Sequence, residues 1–317
     1  MQVIKRLERL LTALLSTQKD LIESYQQFSR AEKTLLDGGL QPANSFFSPI
    51  TVHSDSNWNP AHPENPQDFQ SFYMSPYCRT PPSVHNTIHI QTIGQRLKCF
   101  TNYCFLTCFC ALLEMKRLWL SSVNSNTHHL QLHAGELMAF LKKRKPIDAF
   151  CIVGITMIDL YPKESWNFVF GQSCLSHGMG VFSFARYDDD FYKLSYAGDY
   201  SMFENYYTPS LTSTLLLHSC KTLTHEIGHI FGMQHCQWVN CIMQGSNHLK
   251  ESDCRPLDLC PICLRKLQSA LSFKIADRYK VRPGVTNLLE TESYFLAFQE
   301  YTHWFYKCLQ ILEGEAS

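Results

Sequence analysis

The stretch that decides the fold runs from His225 to Cys263 and reads HEIGHIFGMQHCQWVNCIMQGSNHLKESDCRPLDLCPIC. It contains two sets of residues that commonly bind metal ions, a set of histidines followed directly by a set of cysteines. We therefore expect the rest of the chain to serve mainly as a scaffold that holds these two sets in place.

The first set begins with two histidines four residues apart. On a helix, His225 and His229 project from one face about one turn apart, so both imidazoles can bind one zinc ion. Gly232 can adopt backbone angles that are closed to other residues, which lets the chain leave the helix and bring His235 back towards the same ion. Three histidines leave the fourth zinc position for water, as catalytic zinc sites do.

Glu226 follows the first histidine and is predicted to be the general base that takes the proton of this water. Met243 is expected to lie beneath the metal. A bare HExxH also occurs by chance, as an exposed charge pair on a helix. The glycine, the third histidine and the methionine extend it to a pattern that resembles the metzincin signature, which favours the catalytic interpretation.

The second set consists of two cysteine pairs. Cys236 and Cys241 are separated by four residues, and Cys260 and Cys263 form a CPIC pair, so their spacings suit one tetrahedral four-cysteine zinc. Such a closed site would be structural and would tie the preceding loop to the following helix. A redox-active CxxC and free buried thiols are the alternatives. Cys254 fits neither pair and is expected to be a free thiol.

These residues, together with the segments LTHEIGHIFG, MQGSNHL, DAFCIVGITMIDLYP and WNFVFGQ, resemble the archaemetzincin family of zinc metallopeptidases, especially its vertebrate members. The likeness is high from about residue 127 to 280. It implies an α/β, metzincin-like zincin fold with a twisted mixed sheet, an active-site helix and a four-cysteine zinc subsite. It also implies a base at Glu226 and two zinc ions per chain, whose ligands would be His225, His229 and His235 for the catalytic ion and Cys236, Cys241, Cys260 and Cys263 for the structural one.

Three features depart from the pattern expected of relatives. The stretch from about residue 96 to 123 is unusually rich in Cys and Phe, and the chain between residues 200 and 206 looks shorter. Gly245, two residues after Met243, stands where some metzincins have a tyrosine. The sequence therefore names no second donor for the oxyanion of the transition state.

The composition is that of an ordinary globular protein. A chain of 317 residues with 45% hydrophobic residues can form one large or two modest domains. Lys plus Arg equals Asp plus Glu at 28 each, so no net charge attracts nucleic acid or an anionic membrane. A nucleic-acid finger built on the four cysteines is therefore disfavoured, and we expect neither nucleic acid nor membrane as a partner.

Cysteine usage indicates the compartment. Fourteen cysteines stand at scattered spacings, and the chain contains no Asn-x-Ser/Thr glycosylation site. The N-terminal segment MQVIKRLERLLTALLSTQKDL is marginal as a signal peptide and lacks a clear cleavage site, so we predict a surface helix there. Both observations favour an intracellular protein, cytoplasmic or nuclear, that is not secreted.

The chain is predicted to have three parts. Residues 1–86 form an N-terminal helix and an irregular wrapping segment, residues 87–280 a metzincin-like catalytic domain, and residues 281–317 a linker and a C-terminal amphipathic helix. Periodicity predicts the following elements: a strand at Thr87–Ile93, a buried helix at Cys99–Leu113, a helix at Ala134–Lys145, one central strand at Ala149–Tyr161, strands at Asn167–Gln172 and Gly180–Arg186, the active-site helix at Leu211–Phe231 opened by Thr212 or Ser213, and helices at Leu264–Tyr279 and Tyr294–Leu312.

One of these strands bears on substrate binding. The alternation VFSFAR within Gly180 to Arg186 indicates an exposed edge strand, which could bind an extended peptide by strand addition. The predicted function is hydrolysis of peptide bonds in a peptide or protein by zinc-activated water. The alternative is a non-catalytic zinc protein whose cleft binds a peptide or protein partner. No feature of the sequence indicates an oligomeric state.

Overall fold

The computed structural model describes residues 2–41, 47–93, 121–174, 177–193, 196, 212–279 and 306–313. The chain forms two compact units, one made of Met1–Thr80 with Phe231–Ser317 and the other of Pro81–Ile230. The predicted helix at Cys99 to Leu113, the stretch at 200–206 and the linker predicted after residue 280 lie outside the described residues.

The unit Pro81–Ile230 contains two sheets, and the larger one is mixed. Its strands, in the spatial order β1-β4-β7-β6, are β1 Thr87–Ile93, β4 Ala149–Thr156, β7 Met179–Ser183 and β6 Gly171–Cys174. The first three are parallel, whereas β6 runs antiparallel to β7. The predicted α/β fold with a mixed sheet is therefore confirmed, and the strand predicted at Thr87 to Ile93 has the expected bounds.

The single central strand predicted from Ala149 to Tyr161 is wrong. β4 ends at Thr156, and Asp159–Tyr161 is a separate strand, β5, in the smaller sheet. That sheet has the order β2-β3-β5, with β2 at Ser121–Val123 and β3 at Leu130–His133. The backbone N–H of Ile158 donates to Thr156 Oγ1 over 3.1 Å. At the break, a hydrogen bond to a side chain therefore replaces a backbone hydrogen bond of the sheet. Hydrophobicity does not reveal the break, because both strands are buried.

The prediction of an exposed edge strand at Gly180 to Arg186 is also wrong. β7 is buried along its whole length and lies between β4 and β6, so the edge strand on this side is β6. Gly180, just before the alternation, makes room for a ring. A Cβ added at Gly180 would lie 2.8 Å from Cζ of Phe182.

A helix at Ala134–Arg144, close to the predicted bounds, packs on β4 and β7. His133 caps it by accepting the backbone N–H of Glu136 at Nδ1, over 3.3 Å. Its apolar residues join one hydrophobic core, which includes Ile93, Leu132, Leu137, Leu141, Ile152, Ile158, Leu160 and Val181. This core supports the face of the sheet.

The predicted active-site helix is observed at Ser213–Ile230. Thr212 caps it, since its Oγ1 accepts the backbone N–H of Leu215 over 3.1 Å. A 3-10 turn after β7 supports its middle: Tyr187 Oη lies 2.5 Å from Thr222 Oγ1. The ring of Tyr187 stacks on Phe170, with 5.2 Å between ring centroids.

The described residues of the other unit are helices and loops. In chain order the helices are Gln2–Leu15, Lys19–Gln26, Arg30–Gly38, Trp58–Ala61, Phe69–Tyr73, Leu249–Asp253, Pro261–Leu271, Ile275–Tyr279 and 306–313. The predicted N-terminal helix is observed and ends at Leu15; Leu14 on its apolar face is buried, but Ile4, predicted on the same face, is exposed. The continuous helix predicted at Leu264 to Tyr279 is wrong, because Ser272 adopts a left-handed conformation with φ of 53°.

Arg265 anchors the first two helices of this unit. Its side chain is 1% exposed and donates to the carbonyl oxygens of Leu14 and, over 2.7 Å, Leu21. The guanidinium also lies over the ring of Phe69, 3.7 Å from the centroid. Burial lowers the pKa of Arg265 to about 10, so these acceptors and the ring hold a cation at neutral pH. None of the described helices is long and apolar enough to cross a membrane.

A buried ion pair fixes the smaller sheet, and its removal should destabilise the protein. Arg186 donates to both carboxylate oxygens of Asp159 over 2.8 Å, and Gln131 donates to Asp159 Oδ2 over 2.7 Å. Asp159→Ala leaves a buried guanidinium without its anion, so we expect the free energy of unfolding to fall by about 3–5 kcal/mol. Denaturant unfolding measures this loss.

A matched control is available in the same unit. Asp190 forms an ion pair with Lys193 that is largely exposed on both sides. Because exposed pairs contribute little, Asp190→Ala should leave the unfolding midpoint unchanged. Equal effects of the two substitutions would contradict the role assigned to the buried pair.

Candidate metal sites

The two histidines of the active-site helix form a pair within the unit Pro81–Ile230. Nε2 of His225 lies 3.1 Å from Nε2 of His229, and the ring planes are nearly perpendicular at 88°. Two nitrogens bound to one tetrahedral zinc at the usual bond length would lie roughly 3.3 Å apart. The pair therefore has the spacing of two ligands of one ion, as the i, i+4 pattern predicts.

The Glu226 carboxylate is held against the edge strand β6. Oγ of Ser173 lies 2.8 Å from Glu226 Oε2 and 3.1 Å from the Glu226 carbonyl oxygen, and the shorter contact is a hydrogen bond to the carboxylate. A Cβ added at Gly171 would lie 3.0 Å from Glu226 Cγ and 3.1 Å from Oε1. These two residues fix where the carboxylate can lie. The sequence offered no signal for them, since these contacts join residues 53 and 55 positions apart.

Gly232, in the other unit, has the conformation that its place in the pattern predicts. Its φ is 94°, and an added Cβ would lie 2.4 Å from the carbonyl oxygen of Tyr77. Gln67 fixes the turn that follows: its Nε2 donates to the Gly232 carbonyl over 3.1 Å, and its Oε1 accepts the N–H of Gln234 over 3.0 Å. Both backbone angle and close packing therefore require glycine here.

His235, in the same unit as Gly232, has a carboxylate partner. Its Nδ1 lies 2.8 Å from Oε1 of Glu64, and the same oxygen accepts the indole N–H of Trp58 over 2.8 Å. A carboxylate only accepts hydrogen bonds, so Nδ1 carries a proton, and in the neutral imidazole the lone pair is then on Nε2. That tautomer suits a metal ligand that binds through Nε2.

The four predicted cysteine ligands come together in one buried group. Their Sγ atoms all lie within 4.8 Å of one another, and the exposed fraction of each side chain is at most 1%. Sγ of Cys236 lies 3.8 Å from Sγ of Cys260. Thiolates on a tetrahedral zinc would lie roughly 3.8 Å apart, so this donor set fits zinc. Cys254 is exposed and is not part of the group.

The acid–base properties of these thiols also suit a cation. Hydrogen bonds from the neighbouring thiols lower the pKa of Cys236 well below its usual range. Burial raises the pKa of Cys241 and Cys260 well above theirs. The group therefore does not hold four negative charges unless a bound cation compensates them, and binding a soft divalent ion would release protons.

The turn around Met243 is tied to the same loop. Met243 is fully buried, and its carbonyl oxygen accepts the backbone N–H of Cys236 over 2.8 Å. Gly245 has no room for a side chain, because an added Cβ would lie 2.4 Å from Cδ1 of Trp58. The indole of Trp58 thus fills the space into which a larger residue at position 245 would project.

Comparison with known proteins identifies the family. Residues 115–269 match Peptidase family M54. Archaemetzincin-2 of Homo sapiens is 48% identical over 362 aligned residues, which cover 99% of this chain and 100% of that protein, so the expected likeness to the vertebrate archaemetzincin-2 type is confirmed. Archaemetzincin-1 of Homo sapiens is 32% identical over 306 residues, covering 84% of this chain and 60% of that protein.

Among solved structures, archaemetzincin from Methanopyrus kandleri is 23% identical and covers 61% of this chain and 99% of that one. The TM-score of 0.37 is too low to define the fold. The identity and coverage of the curated relatives are decisive. The chain belongs to the archaemetzincin family, peptidase family M54, of zinc metallopeptidases.

Proposed function

We propose that this metallopeptidase hydrolyses peptide bonds in peptide or protein substrates by a metzincin-type mechanism, with Glu226 as the general base. The observation that carries the proposal is the arrangement on one helix of two imidazoles with Nε2 atoms 3.1 Å apart and, between them in sequence, a carboxylate held by Ser173 over 2.8 Å. A non-catalytic cleft would need no such restraint on the carboxylate.

We assign the catalytic zinc to His225, His229 and His235. The spacing of the helical pair and the tautomer of His235 support this assignment. When bound, zinc supplies Lewis acidity towards water and a substrate carbonyl. Three protein ligands leave one position for these groups, which distinguishes this set from a closed structural site.

Glu226 would move the proton in this reaction. Its carboxylate accepts a proton from the attacking water and returns it to the amine that leaves. Ser173 holds Oε2, so we assign the transfer to Oε1. The hydrogen bond also keeps the carboxylate in one rotamer, which reduces the reorganisation needed as the reaction proceeds.

We assign a second, structural zinc to Cys236, Cys241, Cys260 and Cys263, which makes two zinc ions per chain. The buried, closely spaced thiols support a closed site over a redox-active pair, because four sulfurs converge instead of two. Metal binding at this site requires reduced thiols. We therefore infer an intracellular location, cytoplasmic or nuclear.

The role of Glu226 can be tested with Glu226→Gln, which keeps the size of the side chain and removes the base. We expect kcat/KM to fall by about 10²–10⁴-fold with zinc content unchanged, the range typical of a lost general base. Cleavage of an unbiased peptide library, followed by mass spectrometry, measures turnover and sequence preference together. Glu136→Gln, an exposed carboxylate in a helical first turn, is the matched control and should behave as wild type.

Equal cleavage by wild type and Glu226→Gln would contradict the proposed base. Equal inactivity of both against the library would instead favour the non-catalytic alternative, in which the cleft binds a peptide or protein partner without hydrolysis. Capture of bound peptides from the same library would then follow.

The hydrogen bond from Ser173 should affect turnover more than substrate binding. Hydrogen bonds to charged groups contribute about 1.5–3 kcal/mol, so loss of this one in Ser173→Ala should lower kcat roughly tenfold or more. KM should change little, and Ser173→Thr, which keeps the hydroxyl, should restore most of the rate. Steady-state kinetics on the best library peptide measures both parameters. A rate in Ser173→Ala equal to that of wild type would remove Ser173 from the mechanism.

The structural zinc can be tested with Cys263→Ser and, as matched control, Cys254→Ser. Elemental analysis should show one zinc fewer per chain in Cys263→Ser and no change in the control. If wild type is kept at a zinc concentration about 1,000 times Kd, loss of the site should cost about 4 kcal/mol of unfolding free energy. Two zinc ions in Cys263→Ser would argue against the four-cysteine site.

A further inference from the structure

A carboxylate from the N-terminal segment meets the third histidine of the catalytic pattern. Glu64 and His235 are 171 positions apart in sequence, yet Glu64 Oε1 lies 2.8 Å from His235 Nδ1. The exposed fractions of the two side chains are 30% and 18%, so both are partly shielded from water. The contact lies within the unit formed by Met1–Thr80 and Phe231–Ser317.

Trp58 holds this carboxylate in place. Its indole N–H donates to the same Oε1 of Glu64 over 2.8 Å, and its ring makes an edge contact with the ring of His235, with centroids 4.8 Å apart. The backbone N–H of Trp58 is fixed in turn by Oε1 of Glu251, over 2.8 Å. Gly245 leaves the space that the indole fills. Glu64 is therefore positioned by the packing of Trp58 and by two hydrogen-bond donors to its Oε1, the indole N–H of Trp58 and Nδ1–H of His235.

We propose that Glu64 is a positioning residue that orients His235 as a zinc ligand and keeps the ring proton on Nδ1. Histidines that bind metals commonly donate their other ring N–H to a carboxylate, which fixes the ring orientation and makes the ligand nitrogen more basic. The inference rests on the proposed function in one respect, namely that His235 is a ligand of the catalytic zinc.

Trp58 contributes to the same positioning of His235. By filling the space beside Gly245 it connects the turn after Met243 to the Glu64 carboxylate and to the ring of His235. A bulky residue at position 245 would displace the indole and with it one of the two donors to Glu64. The missing side chain at Gly245 therefore leaves room for the indole that holds the Glu64 carboxylate.

A simple surface ion pair is the competing explanation, and the two differ in their effect on metal binding. An exposed ion pair contributes little to stability, so its loss should not change metal binding. If the carboxylate orients a ligand, its removal should lower the zinc affinity of the histidine site and leave the zinc affinity of the four-cysteine site unchanged. Asp55, an exposed acidic residue in the same segment, provides a control of equal charge.

The test measures metal affinity at the histidine site of Glu64→Ala, Glu64→Gln and Asp55→Asn. Zinc is removed from that site with a mild chelator, the cysteine site is verified as full by elemental analysis, and Zn²⁺ or Co²⁺ is added back against a competing chelator. Glu64→Ala should bind zinc about 10–100-fold more weakly than wild type. Glu64→Gln, whose amide oxygen can still accept both donors, should lose less, and Asp55→Asn should match wild type.

Co²⁺ adds a readout that does not depend on activity. Its visible absorption at the histidine site should change in Glu64→Ala, because the ligand orientation changes. Zinc affinity in Glu64→Ala within twofold of wild type, with an unchanged Co²⁺ spectrum, would overturn the proposal.

Peptide cleavage by the wild type separates this inference from the proposed function. If wild type cleaves no library peptide but Glu64→Ala still weakens zinc at the histidine site, the positioning role stands and the peptidase proposal fails. If wild type cleaves peptides and Glu64→Ala binds zinc normally, the positioning role fails alone. A wild type that binds zinc only at the cysteines overturns both.

Discussion

The left-handed backbone at Gly232 is the constraint on which the loop that carries His235 depends. With φ at 94° and the Tyr77 carbonyl in the place of a side chain, only glycine fits this position without strain. The helix that carries His225 and His229 ends two residues earlier, and the loop that carries His235 begins here. Gln67 then fixes the turn by forming hydrogen bonds with the backbone on both sides of Met233.

One short loop carries His235 of the first predicted metal site and Cys236 of the second, so a metal bound at either site would restrict the other's ligand. His235 and Cys236 are adjacent, and the backbone N–H of Cys236 donates to the carbonyl of Met243. Lys266, three residues after Cys263, is buried and donates to the carbonyl of Gln67 over 2.6 Å. A closed zinc on the cysteines would restrict this loop before the catalytic zinc binds. The catalytic ligand would then lose less conformational entropy on binding.

The spacing of residues in the sequence predicted the features that depend on near neighbours. It did not predict the features that depend on packing between residues far apart in the chain. The i, i+4 histidines, the positive φ of Gly232 and each of the two cysteine pairs follow from residues a few positions apart, although the pairs themselves are 19 positions apart. The break between β4 and β5 did not, because a Thr156 hydroxyl ends a strand that hydrophobicity alone would continue. Nor did the contacts of Ser173 and Glu64, since they span 53 and 171 positions and no periodicity marks them.

The irregular segment predicted within residues 1–86 shows most clearly that local spacing does not reveal contacts between distant residues. The sequence predicted only irregular chain there, but Trp58 in this segment donates to the carboxylate that meets His235. We propose that the histidines and the cysteines hold separate zinc ions in one chain. Anomalous X-ray diffraction at the zinc absorption edge tests it most directly. We expect two peaks per chain, one among His225, His229 and His235 and one among the four cysteines, whereas a single peak at the cysteines would contradict a separate histidine site.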